Sequence, residues 1–182
     1  MLETELKAII SKDIYDAVKS MFRWDSVFEQ TNSYYNDPTG ALKEHGITFR
    51  VRTTNGKNKV QIKRHKAKSG ALQISEESEY RIDNIPELFV NEEVLQLTGV
   101  DTMAMLLGSL TTKRHSFMYC DGVEICLDKS EYLGVTDYEI EIEYTKEIPD
   151  TLLKSLSDVG ISFNKTSVGK YTRFLNKLNN RV

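Results

Sequence analysis

The segment Tyr138–Tyr144 reads YEIEIEY. A strand sends alternate side chains to opposite faces. Glu139, Glu141 and Glu143 therefore share one face, and Tyr138, Ile140, Ile142 and Tyr144 take the other. Carboxylates in a line repel one another, so this face calls for cations, either basic side chains or a metal. A solvated strand face would account for one such strand alone. The rest of the chain decides against it.

The opening segment, LETELKAII at Leu2–Ile10, alternates in the same way, with Glu3, Glu5 and Lys7 on one face and Leu2, Leu6, Ala8 and Ile10 on the other. The segment ITFRVR at Ile47–Arg52 repeats the arrangement with opposite charge: Thr48, Arg50 and Arg52 oppose Ile47, Phe49 and Val51. Asn55-Gly56 is the strongest hairpin signal in the chain, a type I′ turn. A two-residue turn pairs Thr54 with Lys57, Arg52 with Lys59, Arg50 with Gln61 and Thr48 with Lys63. One hairpin face thus gathers Arg50, Arg52, Lys59 and Lys63, with His65 beyond them, and that much like charge calls for an anion.

Between these landmarks the pattern predicts further elements. Ser11 is placed to cap a helix running to about Arg23. A strand follows over about Ser26–Asn36, where Gln30, Asn32 and Tyr34 form a weak polar face, and a turn at 37–40 closes it. The strand from Ala71 to Ile82 is acidic on the face of Ser75, Glu77 and Glu79. Short helices are expected from Pro86 to Leu107, where apolar residues fall at mixed helical spacings. Strands resume over Ser109–Tyr119 and Val123–Leu133. A three-residue loop at Cys120–Gly122 sets Arg114 across from Asp128, whereas a plain two-residue turn would oppose Arg114 to Lys129. The acidic strand at 137–145 comes next, then helices from Pro149 to about Val159 and from Val168 to Leu178. His45, His65 and His115 show no ligand spacing and are assigned to the surface or rim. Glu143, at a strand end, reads as solvated.

The gross composition is that of an ordinary soluble chain, 40% apolar and 28% charged, and 182 residues suit a single domain over 1–182. A net charge of −3 without a basic tail weighs against a general nucleic-acid binder. Cys120 and Cys126 lack metal-ligand or CxxC spacing and read as reduced thiols of a cytoplasmic protein. No secretory signal or membrane span is expected.

Most strands thus carry one apolar and one charged face. The helices need the apolar faces, which leaves the charged ones to a common interior or to open solvent. Taking an ion out of water costs several kcal/mol even after relaxation, against a total stability of about 5–15 kcal/mol. A dry core of so many charges is excluded. A wet tunnel of mixed sign inside a closed eight-stranded antiparallel barrel is allowed, in an α+β fold that is mainly antiparallel β with helices packed outside, and such a barrel is wide enough for one small ligand. Carboxylates beside a dense guanidinium and ammonium cluster suit a divalent cation and a polyphosphate.

In this order and on these faces the residues resemble a known signature. Glu3, Glu5 and Lys7 in ETELK resemble the ExExK motif of the CYTH superfamily, the triphosphate tunnel metalloenzymes. The resemblance continues through Arg50 and Arg52, Lys63, Glu77 and Glu79, Arg114, Asp128, the pair Glu139 and Glu141, and Lys170 in SVGKYTRFL. It is nearest to the small bacterial branch. One position departs: many members carry a basic residue two before the arginine matching Arg114, where this chain has Thr112, and Lys113 next to it has the wrong parity.

The resemblance implies a metal-dependent triphosphatase acting on the terminal phosphoryl group with Mg2+ or Mn2+. It implies that Lys7, Arg50, Arg52, Lys63, Arg114 and Lys170 hold the triphosphate. Glu3, Glu139 and Glu141 anchor the metal, and Glu5 and Asp128 bind a second metal or orient the attacking water. Glu77, Glu79 and Glu143 stand behind these groups or pair with the basic residues. The partner implied is a small-molecule triphosphate (inorganic triphosphate, thiamine triphosphate or a nucleoside triphosphate), with no nucleic acid and no membrane, and a homodimer is left open. Two other activities suit the same scaffold, a class IV type adenylate cyclase and a non-catalytic polyphosphate or nucleotide binder.

Overall fold

The computed structural model describes residues 2–165 and 167–180. Strand β1 (Leu2–Ile10) leads into helix α1 (Lys12–Met21), whose first turn Ser11 caps by accepting from the Ile14 amide at 3.3 Å. Strand β2 (Ser26–Asn36) is followed by the short helix α2 (Ala41–Glu44), then by β3 (Ile47–Thr54), β4 (Lys57–Ser69) and β5 (Leu72–Ile82). A two-residue-long strand β6 (Leu88–Phe89) and helix α3 (Asn91–Thr98) precede the long strand β7 (Ala104–Cys120). Strands β8 (Val123–Tyr132) and β9 (Val135–Tyr144) and helices α4 (Asp150–Asp158) and α5 (Lys170–Asn179) complete the described chain.

Every strand pairing is antiparallel, in the order β2-β3-β4-β5-β1-β9-β8-β7-β6. A further pairing of β2 with β7 joins the ends of the first eight strands into a closed barrel and leaves β6 as a short addition on β7. Closure abolishes free edges. It also explains the YEIEIEY pattern, because both faces of β9 are buried: Ile140 and Ile142 are 0% exposed, Glu139 1% and Glu141 4%. The apolar side faces helices, and the acidic side faces the barrel interior.

The outer layers follow from the alternation. Val18 of α1 and Leu152 and Leu156 of α4 pack on Ile125, Leu127, Ile140 and Ile142. Leu42 of α2, Phe89 of β6 and Val94 of α3 cover Phe49, Val51, Val60 and Ile62. Helix α5 differs from these: it inserts Phe174 among Tyr34, Leu110 and Tyr132, residues with the inward parity of Arg50 and Asp128, and so it packs on the cavity side of the strands. Gly108 permits that approach: its φ is +141°, and a Cβ there would stand 3.2 Å from Phe174 Cζ.

The β3–β4 register agrees with the expected hairpin at all four pairs named above, and Asn55 and Gly56 both take positive φ, at 51° and 70°. Three local expectations are corrected. Pro86–Leu107 contains one regular helix, α3; Leu88–Phe89 forms β6 and Ala104–Leu107 already belongs to β7, and several apolar residues counted at helical spacing, among them Leu88, Leu95 and Leu106, are exposed. Arg114 does oppose Asp128, but the turn holds only Asp121 and Gly122, and a bulge between Met118 and Cys120 restores the register. His115 is buried at 3% exposure beneath α1, between Tyr15 and Trp24, because the strand neighbour of an inward arginine must face the helix layer.

Candidate functional site: a charged cavity inside the barrel

The inward side chains enclose a cavity of about 530 Å³, a size typical of small-molecule sites. Its lining contains Glu3, Glu5 and Lys7 of β1, Arg50 and Arg52 of β3, Lys63 of β4, Glu77 of β5, Arg114 of β7, Glu141 and Glu143 of β9, and Lys170 of α5. Residues far apart in sequence meet here because closure brings β1 between β5 and β9, so that Glu5 faces Glu143 and Lys7 faces Glu141 across the ladder.

The acids form two groups. Glu3, Glu5 and Glu143 each offer an oxygen within 4.8 Å of the others, and so do Asp128, Glu139 and Glu141. The three residues expected to share one metal are therefore divided between the two groups, Glu3 in the first and Glu139 and Glu141 in the second. Lys7 bridges them, 2.7 Å from Glu5 Oε1 and donating to Glu141 Oε1 at 3.3 Å. The second group already holds an internal cation: Lys170 Nζ is 2.9 Å from Asp128 Oδ2 and 2.8 Å from Glu141 Oε1, and it also reaches Glu139.

The other cations are also held by acids. Arg114 forks onto Asp128 and reaches Glu141 and Glu143. Lys63 contacts Glu3 and lies 3.1 Å from Glu77 and 3.6 Å from Glu5. Arg50 donates to Gln61 Oε1 at 3.0 Å and lies 3.8 Å from Glu77. Arg52 differs. Among the described residues it makes no ion pair, and its Nε donates to Asn32 Oδ1 at 3.0 Å.

Burial and charge set the protonation pattern. Burial works against the Glu141 carboxylate, but Lys170, Lys7 and Arg114 hold it well below the usual carboxylate range. Asp128 is likewise penalised by burial and lowered by Arg114 and Lys170. Burial raises Glu139, with Glu141 adding to the effect against Lys170. Glu143 is pushed up to about 7 by burial, which Arg114 opposes and which Glu141, Glu3 and Glu5 reinforce. That corrects the solvated reading of Glu143: strand closure sets it beside Glu5. Arg52 falls to about 9 through burial and the repulsion of Arg50 and Arg114.

Glu79 stands apart from the cavity. It pairs with Lys59 towards the hairpin turn, both side chains more than 40% exposed, and accepts from Gln61 Nε2 at 2.9 Å. Thr112, at the position that departs from the family pattern, is fully buried and shares a 2.9 Å hydrogen bond with Ser130. Sequence reasoning gave Arg173 no definite place. In the structure its Nε donates to Asp137 Oδ2 at 2.8 Å and its NH1 to Glu139 Oε2 at 2.7 Å, fastening α5 beside Lys170. The signal was there in the i, i+3 spacing of two cations on one helix face. Cys120 and Cys126 are free thiols, and no helix among the described residues is long and apolar enough to cross a membrane.

Comparison with known proteins gives concordant results. The CYTH domain family matches residues 1–168. A Bacillus subtilis (strain 168) protein named "Putative triphosphatase YjbK" is 33% identical over 149 residues, covering 78% of this chain and 77% of the relative. Among solved structures, HpAC1 from Hippeastrum, investigated as an adenylyl cyclase and described as having a dominant triphosphatase activity, superposes with a TM-score of 0.77. It is 22% identical, over 96% of this chain and 95% of that one. A Bacillus halodurans protein described as an adenylate cyclase candidate gives a TM-score of 0.72 at 24% identity, over 94% and 96% of the two chains. The closed barrel with helices outside is the triphosphate tunnel fold.

Proposed function

The chain belongs to the CYTH domain family, and from that premise we propose that it hydrolyses the terminal phosphoryl bond of a small-molecule triphosphate with the help of Mg2+ or Mn2+. The observation that carries this reading is the convergence of Lys7, Arg50, Arg52, Lys63, Arg114 and Lys170 on one cavity that also holds a compact carboxylate trio. The relative named as a triphosphatase supports the same class of reaction.

The acids suit a divalent cation on their own chemistry. Glu3, Glu5 and Glu143 bring carboxylate oxygens within 4.8 Å of one another, and the burial that, with the neighbouring acids, raises Glu143 to about 7 penalises a negative charge that a divalent cation would compensate. Hard oxygen donors in small number fit Mg2+ or Mn2+, which keep part of their water shell. When bound, such an ion neutralises charge on the phosphate oxygens and activates water. Glu139 and Glu141, now paired with Lys170, would be free to join in holding a metal only if a phosphate took over that ammonium.

The chain's own groups do the rest. Lys7, Arg50, Arg52, Lys63, Arg114 and Lys170 position the phosphates and stabilise charge developing on the equatorial oxygens. Asp128 has both oxygens engaged by Arg114, so its work is to aim that guanidinium and Lys170. Glu5, in the trio that would hold the ion, is also placed to orient the attacking water. Glu77 steadies Arg50 and Lys63.

The test is product analysis with purified protein. Inorganic triphosphate, thiamine triphosphate and nucleoside triphosphates are each incubated with Mg2+, Mn2+ or EDTA, and orthophosphate and pyrophosphate are measured. Orthophosphate release that needs the metal supports hydrolysis. Pyrophosphate together with cyclic AMP from ATP would make the protein a cyclase instead.

A further inference from the structure

Strand β6 pairs with the start of β7, Leu88 opposite Met105 and Phe89 opposite Ala104. One face of this ribbon is covered: Phe89 and Ala104 are buried in the apolar cluster of Phe49, Val60 and Val94. The other face is apolar as well, yet it is open. Leu88 and Met105 are 42% and 40% exposed, and Val90 and Met103, which continue the alternation, are 50% and 40% exposed. None of the four lines the cavity. A lone exposed apolar residue is ordinary, but a contiguous group with a polar rim marks an interaction site. The rim here is of one sign. Residues 82–112 contain Asp83, Glu87, Glu92, Glu93 and Asp101 and no Lys, Arg or His, in a chain whose charges otherwise nearly balance. All five acids are exposed, and among the described residues none makes an ion pair, whereas Asp16, Glu76 and Asp121 on other surfaces pair with Lys12, Lys66 and Lys146. Arg64 reaches α3 only at its C-terminal end, where it donates to the Thr98 carbonyl.

We propose that the face of Leu88, Val90, Met103 and Met105 docks a basic amphipathic helix of a partner protein. The apolar stripe of that helix covers the ribbon, and its flanking Lys or Arg side chains meet the acids around it. Charge decides among the occupants. A second copy related by a two-fold axis sets two acidic rims against each other, which like-charge repulsion opposes. An anionic lipid surface or a nucleic acid is repelled for the same reason. Strand addition is blocked, because β6 is two residues long, Pro86 before it has no N–H, and the Val90 N–H already donates to Glu93 Oε2 at 3.0 Å. The two methionines suit a helix: unbranched and polarisable, they adapt to the side chains a helix presents at i, i+3, i+4 and i+7. The inference is independent of the reaction in the barrel.

Fluorescence anisotropy of the full chain tests this, with a labelled amphipathic helix built of Leu and Lys as the probe and a peptide of the same composition in scrambled order as the control for charge alone. At about 0.15 M salt, where long-range attraction is screened, wild type should bind the amphipathic probe saturably and at least about tenfold more tightly than the scrambled one, the scale of burying one apolar side chain. Leu88→Ser combined with Met105→Ser should lose that advantage, with circular dichroism and melting temperature close to wild type because both side chains are exposed. Glu87→Lys combined with Asp101→Lys should weaken binding. Glu147→Lys combined with Asp158→Lys, which changes the net charge equally at exposed positions of another surface, should leave it unchanged. The proposal is overturned if wild type binds both peptides alike, if the Leu88 and Met105 variant binds as wild type does, or if the two charge reversals weaken binding equally. A wild-type dimer that dissociates in the Leu88 and Met105 variant, measured by analytical ultracentrifugation, would give the face to a second copy and overturn it as well.

Discussion

Arg114 grips Asp128 through two parallel hydrogen bonds, Nε to Oδ1 at 2.8 Å and NH2 to Oδ2 at 2.7 Å, across a β7–β8 pair that sets the two residues directly opposite each other. Asp128 is fully buried and also contacts Lys170, 2.9 Å away. This carboxylate therefore ties the barrel wall to helix α5.

Removing it leaves two buried cations short of a partner. Breaking one side of a buried ion pair costs about 3–5 kcal/mol, and 1 kcal/mol shifts the melting temperature of a chain this size by about 2–4 °C. Asp128→Ala should lower the melting temperature by roughly 10 °C. A thermal melt with an unchanged midpoint would mean that solvent replaces Asp128 at no cost.

The two faces of β9 make opposite predictions. Glu141→Gln keeps the shape of a side chain in the cavity, and circular dichroism should show a native fold while triphosphate turnover drops by at least about a hundredfold, as expected for loss of a charge in preorganised electrostatics. Ile140→Asp puts a carboxylate into the apolar layer beneath α1 and α4, where it has no partner, and the protein should fail to fold. Equal tolerance of the two changes would contradict the assignment of the faces.

His115 predicts a pH dependence of stability. Burial lowers its pKa below the ordinary 6.5, and Lys19 and Lys113 add to that, against the Leu127 backbone and Asp128. The folded state thus binds the proton less readily than the unfolded chain. The stabilisation is present above the unfolded value and is lost as the pH falls through and below 6.5. Denaturation by urea at pH 7.5 and pH 5.5 should show a larger loss for wild type than for His115→Phe, which cannot titrate. Identical losses would exclude His115 as a contributor.

Gly108 predicts how α5 is seated. Alanine there meets Phe174 Cζ at 3.2 Å in a backbone region that L residues rarely adopt. Gly108→Ala should speed hydrogen exchange in α5 while amides of β8 and β9 keep their protection. Unchanged exchange in α5 would show that Phe174 is not what holds the helix down.

Much of the barrel was legible because its signals are local. Asn55-Gly56 fixes a turn type, and parity then dictates every partner from Thr54 to Lys63. Glu3, Glu5, Lys7, Glu139 and Glu141 were legible as a face because period-two alternation is strict in β1 and β9. What escaped depends on closure. Nothing in β2 announces that Tyr34 would lie under α5, since its polar alternation is weak. Glu143 reads as a strand end until β1 is laid beside it. The inward direction of Arg114 already implied the outward direction of His115, and the bulge at Met118–Cys120 hides from any count that assumes a regular ladder. Residues 86–107 misled because Leu88, Leu95 and Leu106 were counted towards helical faces although they are exposed, and only 91–98 is a regular helix.

The central claim is that the cavity's cations and acids act together on a triphosphate. It is tested most directly by orthophosphate release from inorganic triphosphate, measured for wild type and Arg52→Ala with Mg2+ or Mn2+ and again in EDTA. The account predicts turnover by wild type that EDTA abolishes and that Arg52→Ala reduces by a hundredfold or more, on the scale of removing one transition-state donor. Turnover of equal rate in both proteins, or persisting in EDTA, would contradict it.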